Sequence, residues 1–299
     1  MTDLAKDPPK SDRYAVPFMI GASAFVAGTS LIAKALGLDT VDADGLHLFH
    51  GSAGRFGFAF AALFLFLTLM PKSRPTLRGA RWDWHLMRSL CGWLGVSAMF
   101  AAVAKMPVAE ATAISFLSPL VTMGLAVLML GERMGLRKYI AVTFALGGAL
   151  MILKPGTDAF QTAGLFALAS AAFLGLEAIF IKRLSDSEPA LRVLLFNNTI
   201  GAIVSLVVAS TVWAWPTPDQ WFLLMALGVV MLTAQSMFIQ AMKRGAASFV
   251  LPALYSVLAF AAIYDFLFYS VMPGLTGFLG ATLILSGALV LARQRNSEG

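Results

Sequence analysis

Cysteine is nearly missing from this chain: Cys91 is the single one in 299 residues. A lone thiol closes no intrachain disulfide, and this one lies in an apolar stretch, where it reads as a small core residue. Histidine is almost as scarce. His47, His50 and His85 fall at the edges of apolar stretches, without the clustering that metal ligation needs. His47 and His50 stand three residues apart, which leaves a metal reading beside the plainer one of a solvated helix end; no metal is expected. Charge is thin as well, at 13% of residues. There is no Gly-x-x-x-x-Gly-Lys phosphate loop, so the chain does not itself supply ATP as a driving force. No catalytic constellation and no cofactor fingerprint appears, and the chain is not expected to be an enzyme. The net charge of +6 would suit nucleic acid. Its basic residues, however, sit at the ends of apolar stretches, where membrane orientation and anionic lipid account for them better. No nucleic-acid partner is expected.

What is abundant is apolar sequence, 59% of the chain. It falls into ten segments, at 14–36, 46–70, 84–104, 109–130, 137–153, 162–182, 190–211, 219–240, 247–270 and 274–293. Most match the roughly 20 residues that a helix needs to cross a bilayer about 30 Å thick. The first is too long for a secretory h-region and is read as a retained helix. Lys and Arg gather between alternate segments. They include Lys6, Lys10 and Arg13, then Lys72, Arg74, Arg78 and Arg81, then Arg133, Arg137 and Lys138. Lys182, Arg183 and Arg192 follow, then Lys243 and Arg244, then Arg293 and Arg295. The opposite loops carry only Lys105 and Lys154, and the loop 37–45 is acidic. The positive-inside rule then places both tails, 1–13 and 294–299, in the cytoplasm. Trp213, Trp215 and Trp221 flank an outer loop and read as interface anchors.

The chain also repeats itself. Gly135-Leu136 and Thr143 match Gly274-Leu275 and Thr282, and Gly148-Ala149-Leu150 matches Gly287-Ala288-Leu289, all at a constant offset of 139 residues. Ala22-Ser23-Ala24 is similar to Ala169-Ser170-Ala171. These matches divide the chain into 14–153 and 162–293, with five apolar segments in each half. An odd number makes the halves run in opposite senses through the membrane. That is the inverted-repeat architecture of secondary transporters, with the solute site near the midplane between the repeats. The expected fold is therefore an all-α integral membrane protein of ten transmembrane helices, arranged as two inverted five-helix repeats.

A family resemblance enters through one stretch, Ala109-Glu110-Ala111-Thr112-Ala113-Ile114-Ser115-Phe116-Leu117-Ser118-Pro119-Leu120, running on to Leu130-Gly131-Glu132-Arg133 and Gly147-Gly148-Ala149. With ten helices in two halves, the sequence resembles the EamA group of the drug/metabolite transporter superfamily over nearly its whole length. The resemblance implies an inner-membrane carrier of small metabolites, commonly an exporter of amino acids or related compounds. Other members move nucleotide-like or vitamin-like molecules. In the second half Tyr269-Ser270-Val271-Met272 stands where the Leu-Gly-Glu-Arg element belongs, so any role of that element is present once.

Charges at bilayer depth are costly unless they face a partner or a wet cavity, which makes each a candidate. Arg55 lies about 14 Å deep at ~1.5 Å of rise per residue, beside Gly51, Gly54 and Gly57. Its planar donor fork suits a substrate carboxylate or phosphate; the structural alternative is an arginine bonded to backbone carbonyls. Glu177 and Arg88 are expected at similar depths near the cytoplasmic end, as a gate pair, a proton-binding carboxylate or a permanent ion pair. Lys34 and Asp265 are expected in the outer third as an outer gate, or as snorkelling and polar contacts. Trp93, Phe116, Asn197 and Tyr255 are candidate substrate contacts, against the plain reading of helix packing. Asn198, Gln235 and Tyr264 read as interhelical hydrogen-bonding groups. Pro119 is expected to kink a helix and free carbonyls toward a cavity, and Pro252 to bend another. Glu110 reads as a carboxylate at a helix N-terminus and Glu132 as a loop-ordering group.

These features point to a secondary transporter of small polar metabolites, most simply an exporter of amino acids or related metabolites working by alternating access. Its partners are then the bilayer, a small-molecule metabolite and protons as a candidate coupling ion. Uptake of a nucleotide-like or vitamin-like metabolite is the second reading, and a non-transporting scaffold or receptor the third. The two opposed halves argue against the third.

Overall fold

The computed structural model describes residues 13–36, 46–103, 114–115, 117–131, 135–153 and 162–270, with helical fragments at 279–280, 282–283 and 286–287. Among these residues the fold is helical throughout and contains no strand. The helices are α1 Ala15–Ala35, α2 Leu48–Leu69, α3 Trp82–Val103, α4 Ser118–Leu130, α5 Leu136–Leu153, α6 Thr162–Ser187, α7 Ala190–Ala209, α8 Pro218–Arg244, α9 Ala247–Val250 and α10 Ser256–Tyr269. Six spans are long and apolar enough to cross a membrane, among them Ala15–Ala33, Gly164–Ser187 and Pro218–Arg244. In lipid a helix satisfies its own backbone, and the side chains left outside are apolar. Leu69, Leu128, Leu165, Val207, Leu267 and Phe268 are all exposed on the outside of the bundle.

Helix boundaries follow local chemistry. His47 caps α2, accepting at Nδ1 from the Phe49 N–H at 3.3 Å. Thr217 and Gln220 form a reciprocal capping box ahead of Pro218 at the start of α8. At the far end of α4, Gly131 takes φ 67°, a left-handed turn that costs glycine nothing. At the far end of α10, Ser270 also takes a positive φ, 54°, and its N–H bonds Phe266 O at 3.0 Å. Residues 131 and 270 are 139 apart, the offset found in the sequence matches.

Three expectations change. The segment 109–130 is broken: 114–115 are helical, Leu117 lies in a turn, and α4 starts at Ser118. Pro119 therefore occupies the first turn of α4, where its missing N–H is not needed, instead of kinking a helix at its middle. The segment 247–270 is likewise broken, since Leu251–Tyr255 form a 3-10 turn around Pro252 between α9 and α10. Finally, α6 continues past its apolar run to Ser187. Lys182 and Asp186 pair across one turn at 2.9 Å, and Lys182 Nζ also donates to Met242 O at the end of α8. Phe116, Glu110 and Glu132 lie outside the described residues, as does most of the segment 274–293.

The most extensive helix contacts join residues before 153 to residues after 162. Helix α3 packs along α6, α1 along α8 and α10, α2 against α7 and α8, and α4 against α6. Small residues allow the close approach. A side chain at Gly228 would meet Phe58 Cβ at 2.5 Å and Ala59 N at 2.8 Å, and one at Gly201 would strike the Phe56 ring. A cluster around Met19, Ile179, Leu184, Ile239, Met242 and Leu251 forms the largest buried apolar core.

Candidate functional site

Where the two halves of the chain meet, the helices leave a cavity of about 190 Å³. Arg55 enters from α2, Arg88 from α3, Glu177 from α6 and Gln235 from α8. Ser118, Pro119 and Thr122 at the start of α4 line it, and so do Leu251 and Leu254 of the 3-10 turn. Each of the two broken segments thus presents its break to the same space. Val26, Leu174, Met231 and Phe238 supply apolar wall.

The sequence set Arg55 deep in the bilayer and Glu177 with Arg88 near the cytoplasmic end. The structure corrects this: Arg55 and Glu177 line one cavity, and Arg55 lies in the electric fields of both Glu177 and Arg88. Helix α6 runs on for ten residues past Glu177, to Ser187, and its packing along α3 and α4 turns Glu177 to the cavity.

Arg88 is 1% exposed, and its Nη2 lies 3.8 Å from Glu177 Oε1. That is close enough for attraction and too long for a hydrogen bond. Arg88 Nε and Nη1 and Arg55 Nε are buried with no hydrogen-bond partner among the described residues. Buried guanidinium donors left in this state demand an acceptor. Gly92 lets the Glu177 carboxylate lie against α3, since a Cβ there would be 2.8 Å from Glu177 Cδ. The described groups around Glu177 are Arg55, Arg88 and the Cys91 thiol; α4 and α8 present the neutral Thr122 and Gln235.

Behind the cavity runs a neutral network. Asn197 and Asn198 donate through their side-chain amides to Gln235 Oε1 at 3.4 and 3.3 Å, and Ser89 reaches Asn197 Oδ1 at 3.5 Å. Thr122 Oγ1 donates to Gly175 O at 3.1 Å, tying α4 to α6. Asn197 therefore positions Gln235 instead of lining the cavity. Tyr255 is fully buried in an apolar cluster with Ala27, Val257 and Leu258 and is not itself among the lining residues. Trp93 is not among the lining residues either, although its indole N–H is buried without a partner among the described residues. Lys34 and Asp265 sit on α1 and α10, but their side chains fall outside the described residues. Sequence reasoning did not single out Gln235, Thr122 or Ser118 as site residues; the available signal was a polar side chain inside an apolar segment.

A second charged group closes the basic end of the bundle. Glu188, between α6 and α7, accepts from Arg81 N at 2.9 Å, lies 2.8 Å from His85 Nε2 and 3.6 Å from Arg192 Nη1. His85 is fully buried and stacks on Phe196 at 4.1 Å. At the opposite end His50 is used structurally: its Nε2 accepts from Ala214 N at 2.9 Å and its Nδ1 faces His47 O at 3.3 Å. Both ring nitrogens are thereby occupied, as a neutral tautomer protonated at Nδ1. Among the described residues no His, Cys, Asp or Glu group is placed to hold a metal.

Comparison with known proteins gives this geometry a setting. The sequence profile of the EamA-like transporter family matches residues 13–154 and again 161–293. The pseudopaline exporter CntI of Pseudomonas aeruginosa is 28% identical over 70% of this chain and 75% of the exporter. An S-adenosylmethionine uptake transporter of Rickettsia felis is 28% identical over 82% of this chain and 83% of its own length. A riboflavin transporter of Vibrio cholerae is 27% identical over 71% of this chain and 72% of the transporter. A solved crystal structure, 20% identical, superposes with a TM-score of 0.79 over 95% of this chain and 99% of that one, which shows a shared fold. These relatives are membrane transporters of metabolites, not enzymes, and differ in solute and direction. With its apolar spans and two family matches, the chain is a multi-pass membrane protein of the EamA-like transporter family.

Proposed function

We propose that this protein is a secondary carrier for a small carboxylate-bearing metabolite, an amino acid or a compound built from one, which it exports across the inner membrane by alternating access. The observation that carries the reading is the cavity between the halves, where, among the described residues, buried Arg55 and Arg88 outnumber the one carboxylate of Glu177 and keep unmatched N–H donors. A carboxylate fits such a donor fork, and its binding would be charge-assisted. The positions of the two left-handed helix ends, 139 residues apart, support an inverted pair of five-helix repeats, 14–153 and 162–293. Two such halves supply inward-open and outward-open packings around one site. The charge pattern supports cytoplasmic termini. Glu177 is the group through which protons would couple to transport.

The uptake relatives for S-adenosylmethionine and riboflavin keep a second reading in view, import of a larger nucleotide-like or vitamin-like solute. Counterflow into liposomes carrying the purified protein, screened against amino acids, nucleosides and vitamins, separates the two. Exchange of carboxylate-bearing amino-acid-like solutes, lost in Arg55→Ala and Arg88→Ala, is the expected result. Exchange of a vitamin or nucleoside lacking a carboxylate, indifferent to both arginines, would overturn the proposal.

A further inference from the structure

We infer that Glu177 sets how many carboxylates the solute carries into the cavity, admitting one and rejecting two. The inference rests on the cavity being the solute site. The described charged side chains that line it are Arg55, Arg88 and Glu177, and with Glu177 ionised they give the empty cavity one net positive charge. A single carboxylate brings it to neutrality and supplies acceptors for Arg55 Nε and for Arg88 Nε and Nη1, which have none among the described residues. A second carboxylate would face Glu177 across apolar wall with no further described cation lining the cavity to balance it. Like charges desolvated together in this way are strongly unfavourable. Glu177 cannot easily withdraw. Its carboxyl group lies against Gly92 of α3, and Arg88 Nη2 attracts it from 3.8 Å. The facing groups from the other packed helices are Arg55 of α2, the Cys91 thiol of α3, and the neutral Thr122 and Gln235. None of these adds a second charge of either sign that could stand in for Glu177 at neutral pH.

The test uses a series of equal size in which amide replaces carboxylate: succinamide, succinamate and succinate. Affinities are read from ligand-induced thermal shifts of the purified full chain in detergent, for the wild type and for Glu177→Gln, Glu177→Asp, Arg55→Ala and Arg88→Ala. The wild type is expected to favour succinamate over both others by at least about tenfold, the scale set by like-charge repulsion in a desolvated site. In Glu177→Gln, which keeps the shape and loses the charge, succinate should gain at least about tenfold on succinamate. Glu177→Asp, if folded, should keep the wild-type order, which separates the charge effect from damage to folding. Succinate as the tightest ligand of the wild type, the same order in wild type and Glu177→Gln, or binding of none of the series by any variant would overturn the inference. Affinities that survive in Arg55→Ala and Arg88→Ala would instead remove the cavity as the solute site.

Discussion

At the scale of single residues, the charged members of the site were visible in the sequence because they interrupt apolar runs. Arg55, Arg88 and Glu177 were legible as candidates on cost alone. Their convergence was not, since depth along a helix says nothing about which helix faces which. Gln235 and Thr122 were harder still, because neutral polar groups are common between membrane helices and only contacts distinguish lining from packing. Tyr255, an aromatic proposed as a pocket wall, packs in an apolar cluster beside Val26 of the lining. Gly92 has a role no pattern announces, that of leaving room for a carboxylate. Gly92→Ala should push Glu177 off its seat. Misplacement of a positioned group by about an ångström costs on the order of a hundredfold, so transport should fall tenfold or more while Tm in detergent changes little. Unaltered transport by this variant would show that the carboxylate position does not matter. Glu188 makes a contrasting case. It joins His85, Arg192 and the Arg81 backbone away from the cavity. Removing one member of a buried charged cluster costs about 3–5 kcal/mol. Glu188→Ala should therefore lower Tm clearly, while the protein that remains folded keeps its solute affinity.

At the scale of elements, among the described residues the apolar runs foretold where helices lie and misjudged where they break. Segments 109–130 and 247–270 read as continuous because their hydrophobicity is continuous. Pro119 and Pro252 mark breaks, at a first turn and inside a 3-10 turn, instead of kinks in unbroken helices. Apolarity equally underestimated α6, whose last turns are polar and held by Lys182, Asp186 and Met242 O. The contact between α2 and α8 depends on Gly228, where the obstacle to a side chain includes the backbone of Ala59. Backbone cannot swing aside as a side chain does, so Gly228→Val should destabilise by about 1–3 kcal/mol through overpacking, read as a lower Tm. A full-stability variant would mean that α2 and α8 can part. Orientation is also an element-scale matter. The basic ends of α3, α6 and α8 are knitted together by Arg81, Glu188, Lys182 and Met242. If that end is cytoplasmic, Arg78→Cys in a Cys91→Ala background should resist impermeant thiol reagents in intact cells. Rapid labelling from outside would reverse the orientation.

At the scale of the whole molecule, the most extensive contacts among the described residues run between the halves and leave a charged cavity at their junction. Halves that hold each other across a shared site can exchange two packings without either half unfolding, and such an exchange is what a carrier requires. The central claim is that solute crosses the membrane through this cavity. The direct test places a single thiol at its wall, Ser118→Cys in a Cys91→Ala background, in liposomes transporting the solute identified by counterflow. The account predicts that a small permeant methanethiosulfonate blocks transport and that saturating solute slows the labelling at least about tenfold, as occupancy of a shared site requires. Full labelling of position 118 with transport undiminished and no protection by solute would contradict it.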